Sequence, residues 1–188
     1  MILDEESMTY HPGGRVGFLT SAPEFSRDGD LVAVLNVSGG YVAVYNLRNQ
    51  STAYLRVPST GAVPSHRDCS PGGFDTGSDR FYVLVRQRIA EEAYSDTTYV
   101  VAFDIRHQVL LGARALPGSY TFGMVDPCTH LLYLTGPRDP DIQDAQNRHL
   151  AMKNVSLYDP EENRVLQSIS IDSRVGVLAQ FYQSTSRY

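Results

Sequence analysis

Side chains able to do chemistry are few in this chain and widely spaced. Five histidines stand at positions 11, 66, 107, 130 and 149, and no two share the i+2 or i+4 spacing that lets neighbouring imidazoles hold one metal ion. His66, Asp68 and Cys69 form the closest reactive group. A thiol such as Cys69 becomes a nucleophile when a nearby base or cation lowers its pKa, but no Cys-His-Asn family signature surrounds it. Asp139, Asp141 and Asp144 alternate in a way that could offer oxygen ligands to calcium. That loop lacks the glycine at position six and the glutamate at position twelve that an EF-hand needs. Asp139-Pro140 reads more simply as the cap and first residue of a short surface helix, in a segment that also carries Arg148 and His149. There is no glycine-rich phosphate loop and no G-x-S-x-G elbow. These residues assemble no catalytic set, metal motif or cofactor site.

The elements that would position such residues are short strands. Three turn-plus-strand phrases line up: Phe25-Ser-Arg-Asp-Gly-Asp-Leu-Val-Ala-Val-Leu35, Phe74-Asp-Thr-Gly-Ser-Asp-Arg-Phe-Tyr-Val-Leu-Val85 and Val125-Asp-Pro-Cys-Thr-His-Leu-Leu-Tyr-Leu-Thr135. Each is followed by a strand ending in an aromatic and an amide or acid, at Val42–Asn46, Val100–Asp104 and Val155–Asp159. Asn46 and Asp104 are 58 positions apart, and Asp104 and Asp159 are 55 apart. Polar tetrapeptides follow each of these three residues, as expected of hairpin loops into an outermost strand. An Asx turn explains the recurrent Asn46, Asp104 and Asp159 better than a repeated ligand-binding carboxylate does. In this frame His130 falls at the turn position of Asp30 and Asp79, and His107 at that of Asn49.

A repeat near fifty residues, made of four short strands, is the signature of β-propeller blades. The predicted fold is all-β: about three four-stranded antiparallel blades near 15–58, 65–117 and 119–171, after an extension over 1–14. Arg174-Val-Gly-Val-Leu178 echoes Arg15-Val-Gly-Phe-Leu19, so 174–188 reads as the start of another blade. A β-sandwich of about twelve strands is the alternative. Gln87–Thr97 and Gly136–Lys153 interrupt the pattern as insertions on corresponding hairpins. They emerge on one face, where partners are commonly bound. Tyr94 and Tyr120 lie near loops, where aromatic residues with a polar tip serve as interface anchors. His66, Asp68 and Cys69 stand at an inner strand, where they would line a central channel.

Composition narrows the partners. The chain has 188 residues, 42% hydrophobic and 20% charged, with a net charge of −5. Arginine heavily outnumbers lysine, but neither forms a basic run. Binding to nucleic acid or to an anionic membrane surface is not expected, because both call for a basic field. No apolar run approaches the ~20 residues of a membrane span. The acidic start lacks the charged and apolar regions of a signal peptide, which favours an intracellular location. Cys69 and Cys128 fit two reduced thiols or one disulfide. Of the sequons at Asn36, Asn49 and Asn154, the first and last fall within expected strands.

The Ser-x-Asp-Gly phrase at Ser26–Leu35 and the three Val-x-x-Tyr/Phe-Asn/Asp phrases resemble the broad propeller group of WD40-like, YVTN-like and quinoprotein-like repeats. The resemblance covers roughly residues 15–182. No Gly-His pair opens a blade, and a chain without tryptophan has no closing Trp-Asp pair. Three blades do not close a ring, and bare terminal blades would expose apolar faces and strand edges. A protein partner or self-association is therefore expected to complete the ring. The resemblance implies a non-enzymatic interaction module or a subunit of a larger propeller. Its alternative is part of a propeller enzyme, lactonase-like or quinoprotein-like.

Overall fold

The computed structural model describes residues 2–4, 9–11, 21–37, 39–58, 67–88, 94–138 and 152–170. Two short strands, β1 (Ile2–Asp4) and β2 (Thr9–His11), pair antiparallel at the start of the chain. Twelve further strands follow in chain order. They are β3 (Glu24–Phe25), β4 (Leu31–Asn36), β5 (Tyr41–Asn46) and β6 (Ser51–Arg56); β7 (Arg67–Asp75), β8 (Arg80–Arg88), β9 (Tyr94–Asp104) and β10 (Val109–Pro117); and β11 (Phe122–Val125), β12 (Leu132–Arg138), β13 (Met152–Asp159) and β14 (Arg164–Ser170). Each set of four forms its own antiparallel meander, giving three four-stranded sheets rather than the two of a sandwich. The described residues contain no helix, so none is long and apolar enough to cross a membrane.

The sheets stack face to face, and this explains their composition. A sheet buried on both faces needs apolar residues at successive positions instead of alternate ones. All six residues of β4, Leu-Val-Ala-Val-Leu-Asn, are buried. Leu31, Ala33 and Leu35 of the first blade meet Phe81, Val83 and Phe103 of the second in one core. Tyr82, Leu84 and Val100, on the other face of the second blade, meet Leu132, Leu134 and Tyr158 of the third. A smaller cluster, Val32, Val34, Ala43 and Tyr45, occupies the opposite face of the first blade. Each fully buried side chain of this size contributes about 1.5–3 kcal/mol, so the stacking is held mainly by hydrophobic burial.

The inner strands of the second and third blades approach closely. A Cβ on Gly123 of β11 would lie 2.6 Å from the Gly72 carbonyl oxygen, and one on Gly73 would lie 2.8 Å from the Val125 nitrogen. Gly72-Gly73 is thus a place where two backbones meet, not a phosphate loop.

The strands on either side of the Gln87–Thr97 insertion extend beyond the repeat phrase. β8 and β9 run on into it with pairing as far as Arg88 opposite Tyr94, past a register shift between Arg86 and Arg88. Thr97, Thr98 and Tyr99 are β-branched or aromatic and suit a pleated ladder, and β10 pairs with this extension through Pro117 opposite Thr97.

Candidate functional site

The hairpins between first and second strands and those between third and fourth strands emerge on one face of the stacked sheets. Their conformation follows from the repeated acids and amides. The Asn46 side-chain oxygen accepts from the backbone N–H groups of Arg48 and Asn49 at 3.0 and 3.2 Å. Asp159 accepts from Glu161 and Glu162 at 2.9 and 3.1 Å, and Asp104 from His107 at 2.8 Å. Four positions after each of these residues comes one in the left-handed region, Gln50, Gln108 and Asn163, with φ of 56°, 57° and 53°. These are the Asx turns that the sequence phrase implies.

The turns also join neighbouring blades. Arg106 of the second blade donates from Nε to Asp79 at 2.5 Å and from Nη2 to Asp28 of the first blade at 2.7 Å. The Ser26 hydroxyl, Arg106 and the Asp30 N–H together hold the Asp28 carboxyl well below the usual carboxylate range. Asp75 is 1% exposed and accepts from Gly77 N–H, from the Ser78 hydroxyl and from His130 Nδ1 of the third blade. His130 and Asp79 both adopt positive φ, 61° and 54°, as their shared turn position requires. His107 likewise serves its own hairpin, with Nδ1 2.8 Å from Asp104.

Only some of the residues singled out from sequence lie among the described ones. Asp139, Asp141, Asp144, Arg148 and His149, the helix expected there, and His66 lie outside the described residues. Asp68 and Tyr94 fall on β7 and β9. Cys69, expected at a channel, is 5% exposed within the core shared by the first two blades. Tyr120, expected at an interface, is 8% exposed in the core between the second and third blades. Its backbone N–H donates to the Thr98 hydroxyl at 2.9 Å, which fixes the connection into β11 over that core. Cys69 and Cys128 are not joined, one lying buried and the other exposed. The buried Asn36 amide donates to the Tyr41 hydroxyl, and its oxygen accepts from Gly39 N–H, so it is no acceptor for a glycan. Among the described residues, no three His, Cys, Asp or Glu side chains are grouped to hold a metal ion.

Two features were not legible from sequence. Glu24, on the short inner strand β3, has its carboxyl pushed up to about 7 by burial, opposed by a hydrogen bond from the Phe74 N–H of β7. The second is a cleft of about 170 Å³ between the second and third blades, lined by Arg80, Tyr82, Ala102, Gly112, Arg114 and Glu161 among others. Arg80 pairs with Glu161, and Arg114 donates from Nη1 to the Glu161 carbonyl at 2.8 Å. No local sequence signal marks this cleft, since its walls come from four strands and one hairpin.

No protein-family model matches the chain, and no curated protein matches it. Solved structures do. A protein from Lactobacillus plantarum superposes with a TM-score of 0.51 at 16% identity, over 84% of this chain and 43% of its own. U3-55K superposes with a TM-score of 0.51 at 10% identity, over 79% of this chain and 38% of its own. Hydrazine synthase from Kuenenia stuttgartiensis superposes with a TM-score of 0.50 at 16% identity, over 87% of this chain and 40% of its own. The chain therefore spans about two fifths of the length of the structures it matches. At such identities the likeness speaks to fold alone, and the fold is a partial β-propeller of three blades.

Proposed function

We propose that this chain is the three-blade body of a propeller-type protein-interaction module, completed into a ring by a second copy or by a partner that supplies further blades. The observation that supports this reading is the outer face of the third blade. Two cross-strand rows lie on it, Met124–Tyr133–Leu157–Gln167 and Phe122–Thr135–Val155–Ile169. Ile169 is 55% exposed, whereas Leu132 and Leu134, on the face toward the second blade, are fully buried. An apolar sheet face left partly open is a surface for association.

Light scattering behind size exclusion tests the reading. The purified 188-residue chain is expected to elute as a defined dimer or larger assembly at micromolar concentration. Leu157→Asp and Ile169→Asp are expected to shift it to monomer with the fold kept. A wild-type chain that stays monomeric and stably folded overturns completion by a second copy and leaves only completion by a different chain.

A further inference from the structure

We propose that the cleft between the second and third blades binds a carboxylate carried on an apolar group, as presented by an acidic or C-terminal segment of a protein partner. This deepens the interaction-module reading and rests on it.

The cleft has a simple structural cause. Tyr82, Ala102 and Gly112 stand opposite one another across β8, β9 and β10. Side-chain bulk falls away along this row, and a Cβ at Gly112 would meet nothing within 4 Å. A register shift between Leu110 and Gly112 leaves Leu111 at the rim, 49% exposed. The hollow therefore has an apolar edge and an aromatic end. Arg80 and Arg114 reach it from β8 and β10, while Glu161 on the hairpin between β13 and β14 belongs to the opposite wall.

Its charge runs against that of the chain. The whole sequence carries −5, yet among the residues lining this cleft two guanidinium groups face one carboxylate, while the Asp75 and Asp159 carboxylates also act on Tyr82. Arginine presents paired donors that match a carboxylate, and such charge-assisted bonds are the strong ones. The Tyr82 hydroxyl, in hydrogen-bonding reach of Arg80, is protonated at neutral pH as any tyrosine is, and adds a donor. The Tyr158 hydroxyl is already committed to Asn163 at 2.8 Å.

The chain's own Glu161 shows what the cleft accepts. Its carboxylate pairs with Arg80, but its side chain is 65% exposed against 36% for Arg80. An exposed ion pair of this kind holds weakly. Glu161 thus occupies the cleft as a displaceable stand-in, and an incoming carboxylate with an apolar group would also cover the exposed Leu111 at the rim.

The test is NMR titration of the whole chain, reading the Nε–Hε signals of Arg80 and Arg114. N-acetyl-leucine presents a terminal carboxylate, and the α-amide of N-acetyl-glutamic acid presents a side-chain one. N-acetyl-leucinamide is the neutral control and inorganic phosphate the competing anion. At least one carboxylate probe is expected to shift both signals saturably, and the stronger of the two identifies the source. Arg114→Gln is expected to weaken binding about tenfold, the loss of one charge-assisted contact. Glu161→Gln is expected to tighten it about threefold by removing the internal competitor. The proposal is overturned if neither carboxylate saturates, if the amide shifts the signals equally, or if phosphate alone binds. Should Arg114→Gln not fold, Glu161→Gln, an exposed change, decides by itself: unaltered affinity sinks the assignment. Light scattering on the same samples reads the ring separately. Association without carboxylate binding rejects the cleft and keeps the ring, and the reverse result rejects completion by a second copy.

Discussion

His130 Nδ1 donates to Asp75 Oδ2 at 2.8 Å, and this bond joins the turn of the third blade to that of the second. The two residues differ sharply in surroundings: His130 is 52% exposed and Asp75 only 1%. Asp75 also receives Gly77 N–H at 2.9 Å, so the same carboxylate shapes its own turn and holds its neighbour's. Removing a buried, multiply bonded acceptor strands its donors. Asp75→Ala is expected to destabilise the chain by about 3 kcal/mol, and His130→Ala by about 1 kcal/mol. The double variant should fall short of the sum by about 1 kcal/mol, because the shared bond is lost only once. Urea unfolding of the four proteins measures this coupling. Strict additivity would mean that the bond does not link the blades.

The blades were legible because their turns repeat. Asn46, Asp104 and Asp159 shape their hairpins through bonds to residues two or three positions on, and such local chemistry is written in consecutive letters. The apolar run Leu31–Leu35 of β4 suits a sheet buried on both faces. The burial of Tyr120 was not legible, because a position beside a loop in sequence says nothing of Thr98, whose hydroxyl lies 22 residues away and fixes that loop over the core. The cleft escaped notice for the same reason. Arg80, Arg114 and Glu161 converge only once two blades are stacked, and no spacing in the chain announces it. Glu24 sits on a two-residue strand, too short for a periodic signal, and its burial depends on packing near Phe74 of another blade.

Glu24 makes stability depend on pH in a direction opposite to most carboxylates. Burial raises its folded pKa to about 7, above the usual carboxylate value. The folded chain therefore holds a proton that the unfolded chain has released between those values. The contribution of the protonated group is fully present below the ordinary carboxylate range and is lost as pH rises through about 7. Glu24→Gln keeps the shape and the acceptor for Phe74 N–H while removing the charge. It is expected to be more stable than wild type at pH 8 by about 1 to 3 kcal/mol, with the gap closing toward pH 4. Urea midpoints across that range measure it. A variant less stable than wild type at pH 8 would show that the Phe74 N–H outweighs burial.

Gly123 limits how closely two inner strands can lie. The nearest atoms to an added Cβ are backbone, the Gly72 oxygen at 2.6 Å and its Cα at 2.9 Å, and neither can rotate away. Gly123→Ala must push β7 and β11 apart and loosen the core around Val125. A loss of about 1 to 3 kcal/mol is expected, seen as a lower thermal midpoint. An unchanged midpoint would mean that these strands do not approach as described.

The two faces of the third blade should respond differently to truncation. Leu134 is fully buried against the second blade, so Leu134→Ala is expected to cost about 2 to 5 kcal/mol at any protein concentration. Tyr133, the next residue, points to the other face, opposite Met124 and Leu157. In a monomer that face is only partly covered, and Tyr133→Ala is expected to cost about 1 kcal/mol or less. If further blades from a second copy bury the face, its contribution joins the association free energy, which grows with concentration. The cost of Tyr133→Ala should then rise as concentration is raised, while that of Leu134→Ala stays constant. Chemical denaturation at several concentrations separates the two behaviours, and a constant cost at both positions would leave the outer face without a role in self-association.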